Sequence, residues 1–164
     1  MKKLLVLIAV MLIASSAAFA ELGLGGAAFL KSPVLAGQPV DLGNLNVNQF
    51  SFGADARYKL GWFQAEGLLL YSAGEVNSLN AFLDAGVALD FAIFRFSVRV
   101  GPNFSNNFGK SYPIQAGINA KIGADVKIGM LSVGLSYIMA MNIDNGLYVN
   151  TASGLIGLQV SYWL

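Results

Sequence analysis

The residues able to do chemistry are few, and they fall in a pattern. Asp55, Arg57, Lys59, Glu66, Asp84, Asp90, Arg95, Arg99, Lys121, Asp125 and Lys127 occupy five segments, and within each segment they recur at even spacings. In an extended strand, residues two apart point to the same face, so these acids and bases share one surface. With Glu21 and Lys31 from an earlier segment the set is seven basic and six acidic residues, a near-neutral balance that implies ion pairing. The chain has no His and no Cys, which removes the commonest general base and metal ligand together with thiolates and disulfides. Glu66, Asp84 and Asp90 are the carboxylates that could pair as acid and base, but set against arginines they read as structural. No catalytic residue, metal ligand or cofactor is assigned, and enzyme activity is not expected.

The elements that position this face follow from composition and periodicity. The chain has 164 residues, 55% hydrophobic and 12% charged, too apolar for a disordered protein and of a length for one domain. Residues 1–20 stand apart: Lys2 and Lys3 precede an apolar run from Leu4 to Ile13, and Ala18-Phe19-Ala20 is a small-x-small site. That is the pattern of a cleaved secretory signal peptide, leaving residues 21–164 as the folded domain. Without Lys2 and Lys3 there are eight basic and nine acidic residues, so nothing favours nucleic acid. Ten apolar residues are too few for a helical span, and no later window supplies one.

Beyond the leader, strict alternation replaces the helical period. Eight segments alternate: 21–31, 50–60, 63–73, 83–91, 94–104, 114–128, 131–141 and 153–164. In 114–128, for example, Ile114, Ala116, Ile118, Ala120 and Ile122 oppose Gln115, Gly117, Asn119, Lys121 and Gly123. Long breaks at about 32–47, 74–80, 105–112 and 142–150 alternate with breaks of two residues near Gly61, Ile93 and Gly129. Gly61-Trp62 and Gly129-Met130 place Gly first, as a type II′ hairpin requires; Ile93-Phe94 does not. The fold class expected is all-β, an eight-stranded antiparallel up-and-down barrel.

Alternation alone does not say which face looks at the barrel axis. A secreted soluble lipocalin-like barrel would enclose a small hydrophobic ligand with the apolar face; an outer-membrane barrel would turn that face to lipid. Of the 17 charged residues after position 20, 13 lie on the polar strand face, four lie in long breaks, and none lies on the apolar face. The aromatics form two groups. Tyr58, Trp62, Phe63, Phe91, Phe94, Phe96 and Tyr162 sit near the short breaks; Phe50, Phe52, Tyr71, Phe82, Phe104 and Tyr112 sit near the long ones, with mainly Leu, Val, Ile and Ala between. Two aromatic girdles around an aliphatic band favour the membrane reading.

On these residues the chain resembles the small eight-stranded outer-membrane barrels of the OmpA, OmpX and OmpW type. The resemblance implies short turns toward the periplasm and longer loops outward. It also implies that the alternating end Ile156, Leu158, Val160, Tyr162, Leu164 is read by barrel-assembly machinery, although such signals usually finish on an aromatic residue and this one finishes on Leu164 after Trp163. The expected partners are outer-membrane lipid and that machinery, with the barrel monomeric. A salt-bridge plug is expected near the short turns, with Arg57 opposite Glu66 and Asp90 diagonal to Arg95. Inward glycines would leave room for a thin wet passage, and Phe29, Leu68, Leu70, Ile138 and Leu155 could line a route for hydrophobic molecules. The functions in view are a structural or narrow passive channel barrel and a surface adhesin acting through its loops.

Overall fold

The protein is described by a computed structural model, in which residues 20–32, 46–73, 77–108, 114–144 and 148–164 are described. Eight strands follow one another: β1 (Ala20–Ser32), β2 (Phe50–Leu60), β3 (Phe63–Ser72), β4 (Ser78–Phe91), β5 (Phe94–Asn107), β6 (Gln115–Ile128), β7 (Leu131–Asp144) and β8 (Tyr148–Trp163). Each pairs antiparallel with its sequence neighbours, and β1 closes on β8, giving an up-and-down barrel. Closure removes the unpaired edges that an open sheet of such apolar strands would expose.

The register fixes the geometry. Stepping from strand to strand through paired residues leads from Glu21 to Lys59, Gln64, Gly86, Arg99, Lys121, Ile138, Leu155 and back to β1 at Lys31. The walk returns ten residues from its start, a shear that tilts the strands by about 40° for eight strands at ordinary spacings. A barrel this narrow is filled by its own side chains.

Three two-residue turns join the short ends. Gly61, Ala92 and Gly129 each have positive φ, at 59°, 54° and 62°, and no second turn residue does, the pattern of type II′ hairpins. The middle turn is therefore Ala92-Ile93, with Phe91 paired to Phe94, and not Ile93-Phe94. An alanine there accepts a left-handed backbone because the flanking register requires it. That register also sets Asp90 directly opposite Arg95 rather than diagonal to it.

At the other end the ladders run further than alternation indicates. Ser78–Phe82 belongs to β4, Ser105–Asn107 to β5, and the β7–β8 hairpin continues to Asp144 opposite Tyr148 across a bulge between Met141 and Ile143. Ser and Asn read as loop formers in sequence, yet a ladder can carry them at the rim: the Asn80 amide there lies within reach of the Ser72 and Ser78 hydroxyls. Before β2, Val47–Gln49 forms one 3-10 turn capped by Asn46, whose side chain accepts from the Asn48 backbone N–H while the Gln49 side chain accepts from that of Asn46. On β5, Pro102 has no N–H to donate, and the β4–β5 ladder skips Leu83 and Asp84 opposite Gly101 and Pro102 without shifting register.

The apolar face is outside. Leu83, Val98, Val100, Ile118, Ile122, Leu135 and Leu158 are all exposed, whereas Arg57, Arg95, Arg99 and Lys121 are at most 1% exposed. This is the reverse of a soluble ligand-carrying barrel, whose apolar face is enclosed.

Candidate functional site

The interior is built in three strata. Nearest the short turns is an ionic chain running Lys59, Asp90, Arg95, Glu21, Lys127. Lys59 Nζ lies 2.8 Å from Asp90, Arg95 contacts Asp90 at 2.6 Å and Glu21 at 2.7 Å, and Lys127 Nζ contacts Glu21 at 2.7 Å. Glu21, Asp90 and Lys127 keep about a third of their side chains exposed, so this stratum is the wet mouth. Trp163 closes it from the side: the Arg95 guanidinium lies 4.3 Å from its ring centre and Lys127 Nζ lies 5.7 Å away, while Nε1–H donates to Ser132 Oγ at 2.8 Å.

Above it lies a fully buried stratum centred on Glu66. This carboxylate takes Arg99 Nη1 at 2.7 Å, Lys121 Nζ at 2.8 Å, Arg57 Nε at 3.3 Å and the Gln159 amide at 2.7 Å. Arg57 also contacts Asp55 at 2.7 Å and Asp125 at 3.2 Å. Asp84 accepts from the Asn119 amide at 2.5 Å, and Asp55 from Ser161 at 3.3 Å. Buried charges persist only when paired and hydrogen-bonded, and the neutral partners Gln159, Asn119 and Ser161 supply part of that second requirement.

The third stratum, toward the long loops, is apolar: Phe29, Leu68, Leu70, Phe82, Ile138 and Leu155 pack together with Ala27 and Ala140. Phe29, Leu70 and Ile138 are 0% exposed, so they are packed within the bore by their neighbours. Phe82 belongs here and not to the outer aromatics. Inward positions on β4 are even-numbered, which turns Phe82 into the lumen beside Leu68.

Several inward glycines are overlain by neighbouring side chains. The Asp125 carboxylate occupies the place a side chain on Gly134 would take, the Phe29 ring lies on Gly157, and the Trp163 ring lies on Gly23. At these three positions a neighbour's side chain takes the place of the absent Cβ, whereas at Gly53, Gly86 and Gly101 a Cβ would meet the backbone of the adjacent strand.

The charges are also sorted across the bore. In the two ionic strata β1–β4 carry Glu21, Asp55, Glu66, Asp84 and Asp90 against Arg57 and Lys59, while β5 and β6 carry Arg95, Arg99, Lys121 and Lys127 against Asp125. Most of the ion pairs therefore cross from one wall to another. Lys31 lies outside this arrangement, exposed at the rim of β1.

On the outer face Tyr58, Trp62, Phe63, Phe91, Phe94, Phe96 and Tyr162 are exposed around the short turns, and Phe52, Tyr71 and Phe104 are exposed toward the long loops. Phe50 is half-buried and stacks on Phe52 with ring centres 6.1 Å apart. Tyr112, the leader and most of the residues between the long ends of the strands fall outside the described residues.

Parity in the sequence singles out the charged residues but not the neutral ones that serve them. Gln159, Asn119, Ser132 and Trp163 share the inward parity of their strands, and that was the signal available.

No family model matches the chain, and no curated protein matches it. Solved structures do. The N-terminal β-barrel domain of Pseudomonas aeruginosa OprF superposes with a TM-score of 0.66 at 11% identity, covering 88% of this chain and 97% of that one. The attachment invasion locus protein Ail of Yersinia pestis gives 0.57 at 13% identity over 88% and 97%. Neisserial surface protein A gives 0.53 at 15% over 87% and 96%. These neighbours are eight-stranded outer-membrane barrels, and the chain has their fold.

Proposed function

We propose that this chain is an integral outer-membrane β-barrel, exported behind a cleaved leader at residues 1–20, monomeric, and structural rather than transporting or catalytic. The observation that supports the reading is two side-chain strata in series within the lumen: a buried ionic one around Glu66 and an apolar one around Phe29, Leu70 and Phe82. An ion moving through would have to break the pairs of the first and shed its water in the second, each costing several kcal/mol or more. The outward aliphatic band between exposed aromatics supports a lipid partner. The alternating end of β8 supports delivery by barrel-assembly machinery. Among the described residues the lumen carboxylates Asp55, Glu66 and Asp125 are held by Arg57, Arg99 and Lys121, which supports a structural role for them over a catalytic one.

Two measurements test this. The purified, detergent-folded protein should migrate differently on gels before and after boiling, as a barrel that resists unfolding by detergent does; identical migration with solubility in plain buffer overturns the membrane assignment. In planar bilayers the inserted protein should give no discrete conductance steps; reproducible steps would replace the structural role by a narrow passive channel.

A further inference from the structure

The three short turns carry no charged, amide or hydroxyl side chain. Residues 60–63, 91–94 and 128–131, each a two-residue turn with the strand residue on either side, consist only of Gly, Ala, Leu, Ile, Met, Phe and Trp. Turns that meet water are built mostly from Gly, Pro, Asn, Asp and Ser. Here the second turn residues, Trp62, Ile93 and Met130, are 66%, 52% and 58% exposed, so this end of the barrel is an apolar rim. The opposite ends of the strands differ: Ser78, Asn106 and Asn107 stand in the ladders there, and Lys31 is exposed beside them.

The rim is also prepared to lose water. The carbonyl of each second turn residue accepts from the following hairpin: that of Trp62 from the Ala88 N–H at 2.8 Å, that of Ile93 from Lys127 at 2.7 Å and that of Met130 from Trp163 at 2.7 Å. Backbone groups that meet lipid need such internal partners. The Tyr162 hydroxyl, beside the third turn, lies 2.9 Å from Met130 Sδ, so the turn supplies an acceptor for it. The outward residues of β6 are apolar from Ala116 to Ile128, a height of about 30 Å at a strand tilt of about 40°, against a lipid-facing band about 25 Å tall in barrels of this kind. The excess falls in the interfacial layer at the short-turn end, because the other end is polar. Inside the rim, Glu21, Asp90 and Lys127 keep about a third of their side chains exposed. Ions at the mouth need headgroups or water, which stops the rim at the boundary between headgroups and acyl chains.

We infer that this rim is a lipid-binding surface: the three short turns insert among the phospholipids of the leaflet they meet, at the headgroup–acyl boundary, and do not project into the aqueous compartment beyond. The inference rests on the membrane reading and adds the depth at which the barrel sits. Continuity favours lipid over a protein as the occupant, since the rim is the unbroken end of the outward apolar band.

The chain has no Cys, so nitroxide labels can be placed singly on the full protein folded into phosphatidylcholine vesicles. At Ile93→Cys and Met130→Cys, collisions with dissolved oxygen should outweigh those with a water-soluble nickel chelate, as at Leu135→Cys in the outward band, with the reverse at Lys31→Cys on the far rim. Chelate access at both turns equal to that at Lys31→Cys overturns the inference. So does spin–spin broadening between turn labels, which means a second copy seated on the rim. Water-exposed turns with Leu135→Cys in lipid defeat the inference alone; Leu135→Cys open to the chelate defeats the membrane reading and the inference with it. The unaltered protein supplies a measurement that needs no labelled variant. Its fluorescence should be quenched by phosphatidylcholine brominated high on the acyl chains, through Trp62, because Trp163 is 3% exposed and packed inside the lumen. Trp62→Phe should lose that quenching, and an absence of quenching in the unaltered protein by any brominated lipid overturns the inference.

Discussion

Glu66 stands directly opposite Arg57 in the β2–β3 ladder, yet its shorter contacts go across the lumen, to Arg99 at 2.7 Å and Lys121 at 2.8 Å against 3.3 Å for Arg57. One carboxylate therefore ties β2 and β3 to β5 and β6.

Removing that charge while keeping the shape should expose its importance. Glu66→Gln leaves Arg99 and Lys121 buried without an anion, and breaking a buried pair on one side costs about 3–5 kcal/mol. Urea titration of the detergent-folded barrel should show a lowered midpoint with an unchanged slope; an unchanged midpoint would show that the central ion pairs contribute little.

The glycine seats make a second prediction. Gly134→Ala drives a methyl into the Asp125 carboxylate and toward the Ala124 carbonyl, an overpacking expected to cost about 1–3 kcal/mol. Gly67→Ala is the control: its nearest neighbour is the Leu83 side chain at an ordinary 3.7 Å on the outer face, and it should melt close to the unaltered protein. Equal melting of both variants would remove the packing role given to Gly134.

The middle hairpin carries a correctable strain. Ala92 holds φ at 54°, a left-handed backbone that costs a residue with a Cβ about 1–2 kcal/mol. Ala92→Gly should raise stability by up to about 1 kcal/mol, since part of the gain is lost to the greater freedom of glycine in the unfolded chain. Slower unfolding with an unaltered fold is the expected readout; a loss of stability would show that the methyl makes a contact worth more than the strain.

The two strata should act in series. Leu70→Ala combined with Phe82→Ala opens the apolar stratum but leaves the pairs around Glu66, so bilayers should stay silent. Adding Glu66→Gln to that pair should produce conductance steps. Steps from the apolar double variant alone would show that the ionic stratum is no barrier.

Much of the barrel was legible because it is written in parity. Two-residue turns switch the inward set from odd on β2 to even on β3 and back to odd on β5, and the pairing of Arg57 with Glu66 follows from counting across Gly61-Trp62. Counting across a turn reaches only the adjacent strand. The contacts of Glu66 with Lys121 and of Glu21 with Arg95 and Lys127 join residues 55 to 106 positions apart, and depend on the ten-residue shear, which no local pattern records. Ser78 and Asn106 were hidden for another reason: their types favour turns, while the neighbouring strand holds them in the ladder. Phe82 shows that residue type misleads where parity does not.

Barrel closure has a kinetic consequence. The seam between β1 and β8 is finished by Leu22 and Leu164, whose backbones exchange hydrogen bonds in both directions, at 2.8 Å and 3.4 Å. This contact joins residues from nearly opposite ends of the chain, the class of contact that slows folding most because the loop entropy is spent before the bond forms. The ties from Glu21 to Arg95 and Lys127 also need β1 in place. Until β8 pairs with β1 the chain therefore has hairpins but no closed barrel, and formation of this seam is the step in which the fold becomes cooperative.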